Sequence, residues 1–369
     1  MLLLSGCGGR HDGAGATSTT DPASASAPAS TPSSTGPSTV DQADAKARSQ
    51  AVLDDAIAAG APGCSAAVGL QGRVVWTGVR GVADLSTGKA IDAHTVFDIA
   101  SVSKQFTASA LLLLVDAGKL SLDDPLSRHM PELPPWASTV KVGQLMHQTS
   151  GIPEYVGLLE AQGFQVSDHT TEGQALQTLV GVPKLEFQPG SQFEYSNSNY
   201  LLLGEIVHRI SREPLPRFLA EQFFRPLDLA MVVDPTGAIP EKANGYEKDS
   251  DDNRPTTSAW EAIGDGGIQT TPSQLVGWAD NYRTGRVGGP KLLQAQLAGA
   301  VPTQDGGGDS YGAGIYVTAD GALMHDGFWG GFVTAFRVSK DRGTSLAISC
   351  NTDKQDPQAL AESLEKLWM

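Results

Sequence analysis

Apolar and polar positions divide the chain into three stretches of different period. From about residue 41, Ala47, Val52, Leu53, Ile57 and Ala58 recur at helical spacing until Gly60 and Pro62 stop the run, which predicts an amphipathic first helix. Two β-rich runs follow, Ser65 to Leu70 and Arg73 to Gly78, joined at Gln71-Gly72 as a hairpin. Between about 101 and 299 the period is mainly helical, clearest at 102–117 and 198–211, with long Gly- and Pro-containing loops. Strand-like runs return at Gly314–Thr318, Ala322–His325, Gly331–Val338 and Ser345–Cys350, with Asp341-Arg342-Gly343 as a turn. A last helix at about 356–368 carries Leu360, Leu364 and Leu367 on one side. Strands at both ends with helices between predict a mixed α/β (α+β) fold: one antiparallel sheet built from about 46–100 and 300–369, flanked by the terminal helices, with 101–299 as an inserted, mainly helical subdomain.

The first residues break this pattern. Leu2-Leu3-Leu4-Ser5-Gly6-Cys7 resembles a truncated bacterial lipoprotein signal over residues 1–7, in which Cys7 would be lipidated, although three leucines fall short of a full apolar h-region. Residues 8–45 are rich in Ser, Thr, Ala and Pro, and 8–40 contain no aromatic residue, so they read as a disordered tether with a reach of about 30 Å. The globular domain is then 46–369, placed in the bacterial cell envelope, periplasmic or membrane-anchored. Membrane contact is expected only through the N-terminal lipid, because no later apolar run approaches the ~20 residues of a bilayer span.

Charge narrows the partners. A formal net charge of -15 with Lys and Arg scattered along the chain leaves no positive stripe for a phosphate backbone, which argues against nucleic acid. No two of the seven histidines lie within five positions, so a paired-His metal helix is absent, and no metal or cofactor is expected.

Three short segments carry chemistry. Ser101-Val102-Ser103-Lys104 sets a hydroxyl and an amine three residues apart, on one face at a helix start. A second Ser-x-x-Lys, Ser86 to Lys89, lies in a polar turn, whereas the first opens into the apolar Phe106 to Val115, where burial would lower the lysine pKa. Tyr195-Ser196-Asn197 follows the turn Pro189-Gly190 and precedes a helix. His325-Asp326-Gly327 closes a strand, and Phe328-Trp329-Gly330-Gly331 follows with more glycine than a plain strand tolerates. Gly308-Asp309-Ser310-Tyr311-Gly312 matches a nucleophile elbow by letters, but its polar, Gly-rich flank is not the strand that such an elbow requires.

In this order the three segments resemble the Ser-x-x-Lys, Tyr-x-Asn and Lys/His-x-Gly elements of the serine β-lactamase and penicillin-binding-protein superfamily, in the branch of class C β-lactamases and their esterase and peptidase relatives. Phe97 to Ala100, Leu145 to Gly151, Pro189 to Gly204, Gly264 to Gly267 and Tyr311 to Gly314 look like the same family. The resemblance implies a five-stranded antiparallel sheet and a serine hydrolase that forms an acyl-enzyme on ester, amide or D-amino-acid peptide substrates. Ser101 would attack the acyl carbon, Lys104 and Tyr195 would move its proton with the choice of base left open, and Asn197 would orient substrate or Lys104. The N–H groups of Ser101 and Phe328 would form the oxyanion hole, with Gly327 allowing close approach. The alternative is a penicillin-binding sensor, or a β-lactamase that turns over few ordinary esters. By the same resemblance the first and last strands are neighbours, which would let Cys64 and Cys350 pair. His325 stands where the β-lactamases usually carry a lysine for the substrate carboxylate, and an ordinary histidine is largely neutral at pH 7. Weak preference for carboxylate-bearing substrates follows.

Overall fold

The structure is a computed structural model and describes residues 39–249, 252–304 and 306–369. Cys7 and the tether through residue 38 lie outside the described residues. Helix α1 spans Thr39–Ala56, so residues 39–45, expected in the tether, form its first turns instead. Ala45 is buried, which offsets the ordering cost. The buried stripe also differs from the expected one: Ala45, Ser49, Leu53 and Ile57 face inward, while Ala47 and Ala58 are exposed.

Strands β1 (Cys64–Leu70) and β2 (Arg73–Arg80) form the expected hairpin. Its turn needs positive φ at Gln71 and Gly72, 50° and 76°. The insert supplies α2 (Lys104–Asp116), α3 (Asn197–Ser211) and α4 (Pro272–Thr284). The chain then returns to the sheet as β3 (Leu323–Trp329), β4 (Phe332–Val338) and β5 (Thr344–Cys350), and ends in α5 (Pro357–Trp368). The five long strands are antiparallel in the order β3-β4-β5-β1-β2, and three two-residue strands, Val301–Pro302, Ser310–Tyr311 and Tyr316–Val317, extend the sheet beyond β3. The strand expected at Gly314–Thr318 is thus only a pair of residues, and the one expected to end at His325 runs on to Trp329.

Each face of the sheet is covered by helices. On one side Leu53 and Ile57 of α1 and Leu360, Ala361 and Leu364 of α5 pack on Ala66, Val68, Ala335 and Ile348. Trp368 donates to Ser49 Oγ at 2.8 Å and ties the terminal helices together. The other side meets α4 and the large core around α2, a helix buried over almost its whole length. Its buried polar groups are satisfied: Thr107 donates to the Gly264 carbonyl, and Gln105 Oε1 accepts from Trp278 and Tyr282. Cys64 and Cys350 are register partners of β1 and β5, with Cα atoms 4.0 Å apart, and are joined by a disulfide.

The insert is less purely helical than its period implies. It contributes Ile268–Thr270, which pairs with Phe97–Asp98 on one side and with Val232–Val233 on the other in a small sheet, and the hairpin Gly245–Asp249 with Asp252–Thr256. Strands of two or three residues are too short to show alternation. The small sheet matters because it sets the height of the turn that follows Asp98.

Candidate active site

Ser101 sits in a 3₁₀ turn, Ala100–Ser103, between that small sheet and α2. Ala100 takes φ of 48°, an uncommon left-handed conformation for a residue with a side chain. Asp98 holds it there: its Oδ1 accepts from Ala100 N–H at 2.7 Å and its Oδ2 from Gln269 Nε2 at 2.6 Å, while Ile99 N–H donates to the Ile268 carbonyl. Strand β3 passes so close that a Cβ on Gly327 would lie 2.3 Å from the Ile99 carbonyl oxygen. Glycine is therefore required where the strand meets the serine turn.

One helical turn beyond Ser101, Lys104 is fully buried. Its Nζ donates to Ser101 Oγ at 2.9 Å, Asn197 Oδ1 at 2.6 Å and the Asp265 carbonyl at 2.8 Å. Burial pushes the lysine down to about 8, opposed in part by Asp265 and Glu154. Three acceptors suit an ammonium, yet the same arrangement serves the neutral amine, which has two N–H groups for Asn197 and Asp265 and a lone pair for the serine proton.

The turn before α3 brings the second segment to this point. Gln148, at φ of 57°, accepts through Oε1 from Ser196 N–H at 3.1 Å and Asn199 Nδ2 at 2.5 Å, and Ser150 Oγ donates to Asn199 Oδ1. Glu154 Oε2 accepts from Asn197 N–H at 2.5 Å. Gln148, Ser150 and Glu154 thus clamp residues 196, 197 and 199 and so hold the segment that carries Tyr195 and Asn197. The Tyr195 hydroxyl is buried with no partner in ordinary hydrogen-bonding geometry among the described residues; Ser101 is the neighbour that favours its ionised form, but burial dominates and holds the phenol un-ionised. Lys104 Nζ lies 4.9 Å from the centre of the Tyr195 ring.

His325 is buried among the rings of Tyr195, Tyr311 and Tyr316. Its Nδ1 donates to the Asp326 carbonyl at 2.7 Å, which leaves Nε2 to accept from the Tyr311 hydroxyl at 3.3 Å. Burial, with Lys104 and Arg337 adding repulsion, pushes it down to about 3, so it is neutral at any physiological pH. Asp326 is turned away to Arg337 at 2.6 Å and Gln358 at 2.6 Å.

Ser101 lines two cavities. The larger, about 710 Å³, is bounded by Tyr195, Asn197, His325, Gly327 and Phe328 with Asp326, Asp353 and Asp356. The smaller, about 50 Å³, lies toward Tyr155, Trp260, Asp265 and Trp329, and it shares Asn197 and Phe328 with the first. Ser101, Lys104, Tyr195, Asn197, His325, Gly327 and Phe328 therefore lie together, whereas Cys7 is outside the described residues and the Cys64–Cys350 pair lies in the sheet. The other Ser-x-x-Lys is not among them: Ser86 donates to Asp84 and Lys89 pairs with Glu241, both on the surface. Ser310 lies in a two-residue strand paired with Pro302 and Val317. Glu154, Tyr155 and Trp260 were not singled out from the sequence, because their separation along it gives no spacing signal, and Asp265 stood in the segment Gly264 to Gly267 without a role assigned to it. Among the described residues no cluster of His, Cys, Asp or Glu is placed to hold a metal ion, and no helix is long and apolar enough to cross a membrane.

The model of the Beta-lactamase family matches residues 40–366. The chain belongs to the Beta-lactamase family. Within that family's range it is 28% identical to a D-aminopeptidase of Brucella anthropi over 284 residues, 76% of this chain and 53% of that one. The chain thus spans about half the length of that relative. A D-stereospecific amidohydrolase from Streptomyces sp. superposes with a TM-score of 0.73 at 25% identity, covering 86% of this chain and 98% of that one. A penicillin-binding protein from Bacillus halodurans reaches a TM-score of 0.77 at 22% identity, over 86% and 98%, a likeness of fold.

Proposed function

We propose that the chain is a serine hydrolase that works through an acyl-enzyme on Ser101, with ester and amide substrates whose leaving group carries no essential carboxylate. The observation that carries this is the buried Lys104 Nζ, 2.9 Å from Ser101 Oγ at a point reached from two cavities. Neutral Lys104 takes the serine proton as Oγ bonds to the acyl carbon. The oxygen that becomes negative is placed for the N–H groups of Ser101 and Phe328. As the bond to the leaving group breaks, the proton held by the Lys104 ammonium passes to the leaving group, with the un-ionised Tyr195 hydroxyl as the relay that gives one proton and takes the other. Water then repeats the sequence in reverse on the ester and frees Ser101. Asn197 keeps Lys104 aimed. The names of the relatives, an aminopeptidase and an amidohydrolase, agree with acyl transfer to water.

Leaving-group preference rests on charge. Among the described residues no Lys or Arg lines the larger cavity, Asp353 and Asp356 do, Asp326 beside them is already paired with Arg337, and His325 has both nitrogens engaged and no charge. A charge-assisted hydrogen bond contributes about 1.5–3 kcal/mol, so its absence lowers preference for a carboxylate there by roughly 10- to 100-fold. The test compares kcat/KM for a short p-nitrophenyl ester with that for a chromogenic cephalosporin. Release of many equivalents of product from the ester and slow cephalosporin turnover support the reading. A single equivalent released would make the protein an acylated sensor, and cephalosporin turnover near the diffusional range would refute the charge argument. We also propose export to the bacterial cell envelope with a lipid on Cys7, which the Cys64–Cys350 disulfide supports because such bonds persist in oxidising compartments; loss of membrane association in Cys7→Ser tests it.

A further inference from the structure

Two cavities meet at Trp329. The smaller cavity beside Ser101 and another of about 260 Å³ share the lining residues Asp98, Pro235 and Trp329. Ser101 does not line this further cavity, which extends along Thr236, Lys242, Asn244, Ser258 and Phe332. Of the shared residues, Asp98 is committed to Ala100 N–H and to the Gln269 side chain and so belongs to the serine turn. Trp329 brings the largest side chain to the boundary. It ends β3, where it is the register partner of Phe332, and its ring packs on that of Trp260 with centres 5.5 Å apart. Trp260 is anchored in turn: it is buried, and its indole N–H donates to the Gln165 carbonyl at 2.9 Å.

The two cavities that Ser101 lines divide the substrate between them. Tyr195, which relays the proton to the leaving group, lines the larger and is not among the described residues that line the smaller. The leaving group therefore departs through the larger cavity, and the acyl group points into the smaller. A volume of about 50 Å³ holds about four groups the size of a water molecule, so an acyl chain of about four carbons fills it. A longer chain pushes against the ring of Trp329. Close-packed walls resist this, because extra methylenes in a filled site strain side chains and backbone.

Resting on the acyl-enzyme reading above, we infer that Trp329 sets the length of acyl chain the enzyme accepts, by walling the acyl cavity off from the 260 Å³ cavity behind it. Removing the indole joins the two spaces and gives a long chain somewhere to go. The indole is a wall and takes no part in proton transfer. Its loss should change which acyl groups are accepted and leave the preference among leaving groups as it was.

The test measures kcat/KM for p-nitrophenyl acetate, butyrate, hexanoate and octanoate in wild type and in Trp329→Ala. Wild type should fall by about 10- to 100-fold from butyrate to octanoate, the cost of overpacking a filled site. In Trp329→Ala the ratio of octanoate to butyrate should rise at least about tenfold. The ratio of 4-methylumbelliferyl butyrate to p-nitrophenyl butyrate, which differ only in the leaving group, should stay within about threefold of wild type. Ratios taken inside each enzyme cancel general damage to the site. Should Trp329→Ala not fold, Trp329→Leu, which keeps an apolar but smaller side chain, decides on the same ratios. A wild-type profile with no fall beyond butyrate, or an octanoate ratio that moves no more than the leaving-group ratio, would overturn the inference. Turnover of butyrate with either of those results defeats only this inference, whereas no turnover of any ester defeats the acyl-enzyme reading itself.

Discussion

Replacing Lys104 with methionine should cost activity and alter how stability depends on pH. The buried amine is held at about 8 against an ordinary value of 10.5, so below pH 8 the folded state carries a proton that the unfolded chain binds more tightly. The mismatch of about 2.5 units corresponds to roughly 3 kcal/mol of destabilisation at pH 7. Because this folded value is depressed for a base, the penalty is full below pH 8 and fades as pH rises toward 10.5. Between pH 7 and 9.5 about 2 kcal/mol of it should disappear in wild type and nothing equivalent should happen in Lys104→Met. The five buried tyrosines whose pKa values are raised work in the opposite direction near pH 10, but they are common to both proteins and cancel in the difference. Urea unfolding of both proteins at pH 7, 8 and 9.5 gives that difference directly. A gap between them that does not change with pH would mean that Lys104 is not the depressed group and would undo the argument for it as base. Activity should fall by about 10²–10⁴-fold in the same variant, since a general base contributes that much.

The remaining expectations concern the parts around Lys104. With the lysine at about 8, kcat/KM in wild type should rise nearly tenfold per pH unit up to that point and then level, and a flat profile from pH 6 to 9 would contradict it. Tyr195→Phe should lose at least about 100-fold in kcat, and combined with Lys104→Met the loss should be far less than the product, because groups that act as one unit fail together. Gly327→Ala would drive a methyl to 2.3 Å from the Ile99 carbonyl oxygen and should displace the serine turn; unchanged burst kinetics with an aryl ester would show that β3 does not set its position. Removing the disulfide by Cys64→Ser with Cys350→Ser closes no loop across a separation of 286 residues and should cost about 2–5 kcal/mol in urea unfolding, while leaving kcat/KM at 25 °C within about threefold.

The sheet was legible because β1, β2, β4 and β5 are five or more residues long and bounded by clear turns, and α2 because Phe106 to Val115 is apolar nearly all round. Ser101, Lys104, Tyr195, Asn197 and His325 were legible as three short segments in a familiar order, and their convergence depends on topology that no single segment encodes. The role of Gln148 was hidden for a physical reason: it acts from a left-handed backbone position through one amide oxygen to Ser196 and Asn199, some fifty residues away. Asp265 was hidden in the same way, since its backbone carbonyl binds Lys104 while its side chain faces Tyr155. His325 was read as an ordinary imidazole. Enclosure by three tyrosine rings and repulsion from Lys104 make it a far weaker base than its residue type implies.

The central claim is that Ser101 carries the acyl group, and the most direct measurement of it is covalent labelling by an alkyl fluorophosphonate followed by peptide mass spectrometry. One equivalent should attach to Ser101 in wild type, with none incorporated in Ser101→Ala and a much slower reaction in Lys104→Met. Undiminished labelling of Ser101→Ala, at Ser86, Ser310 or any other residue, would contradict the account.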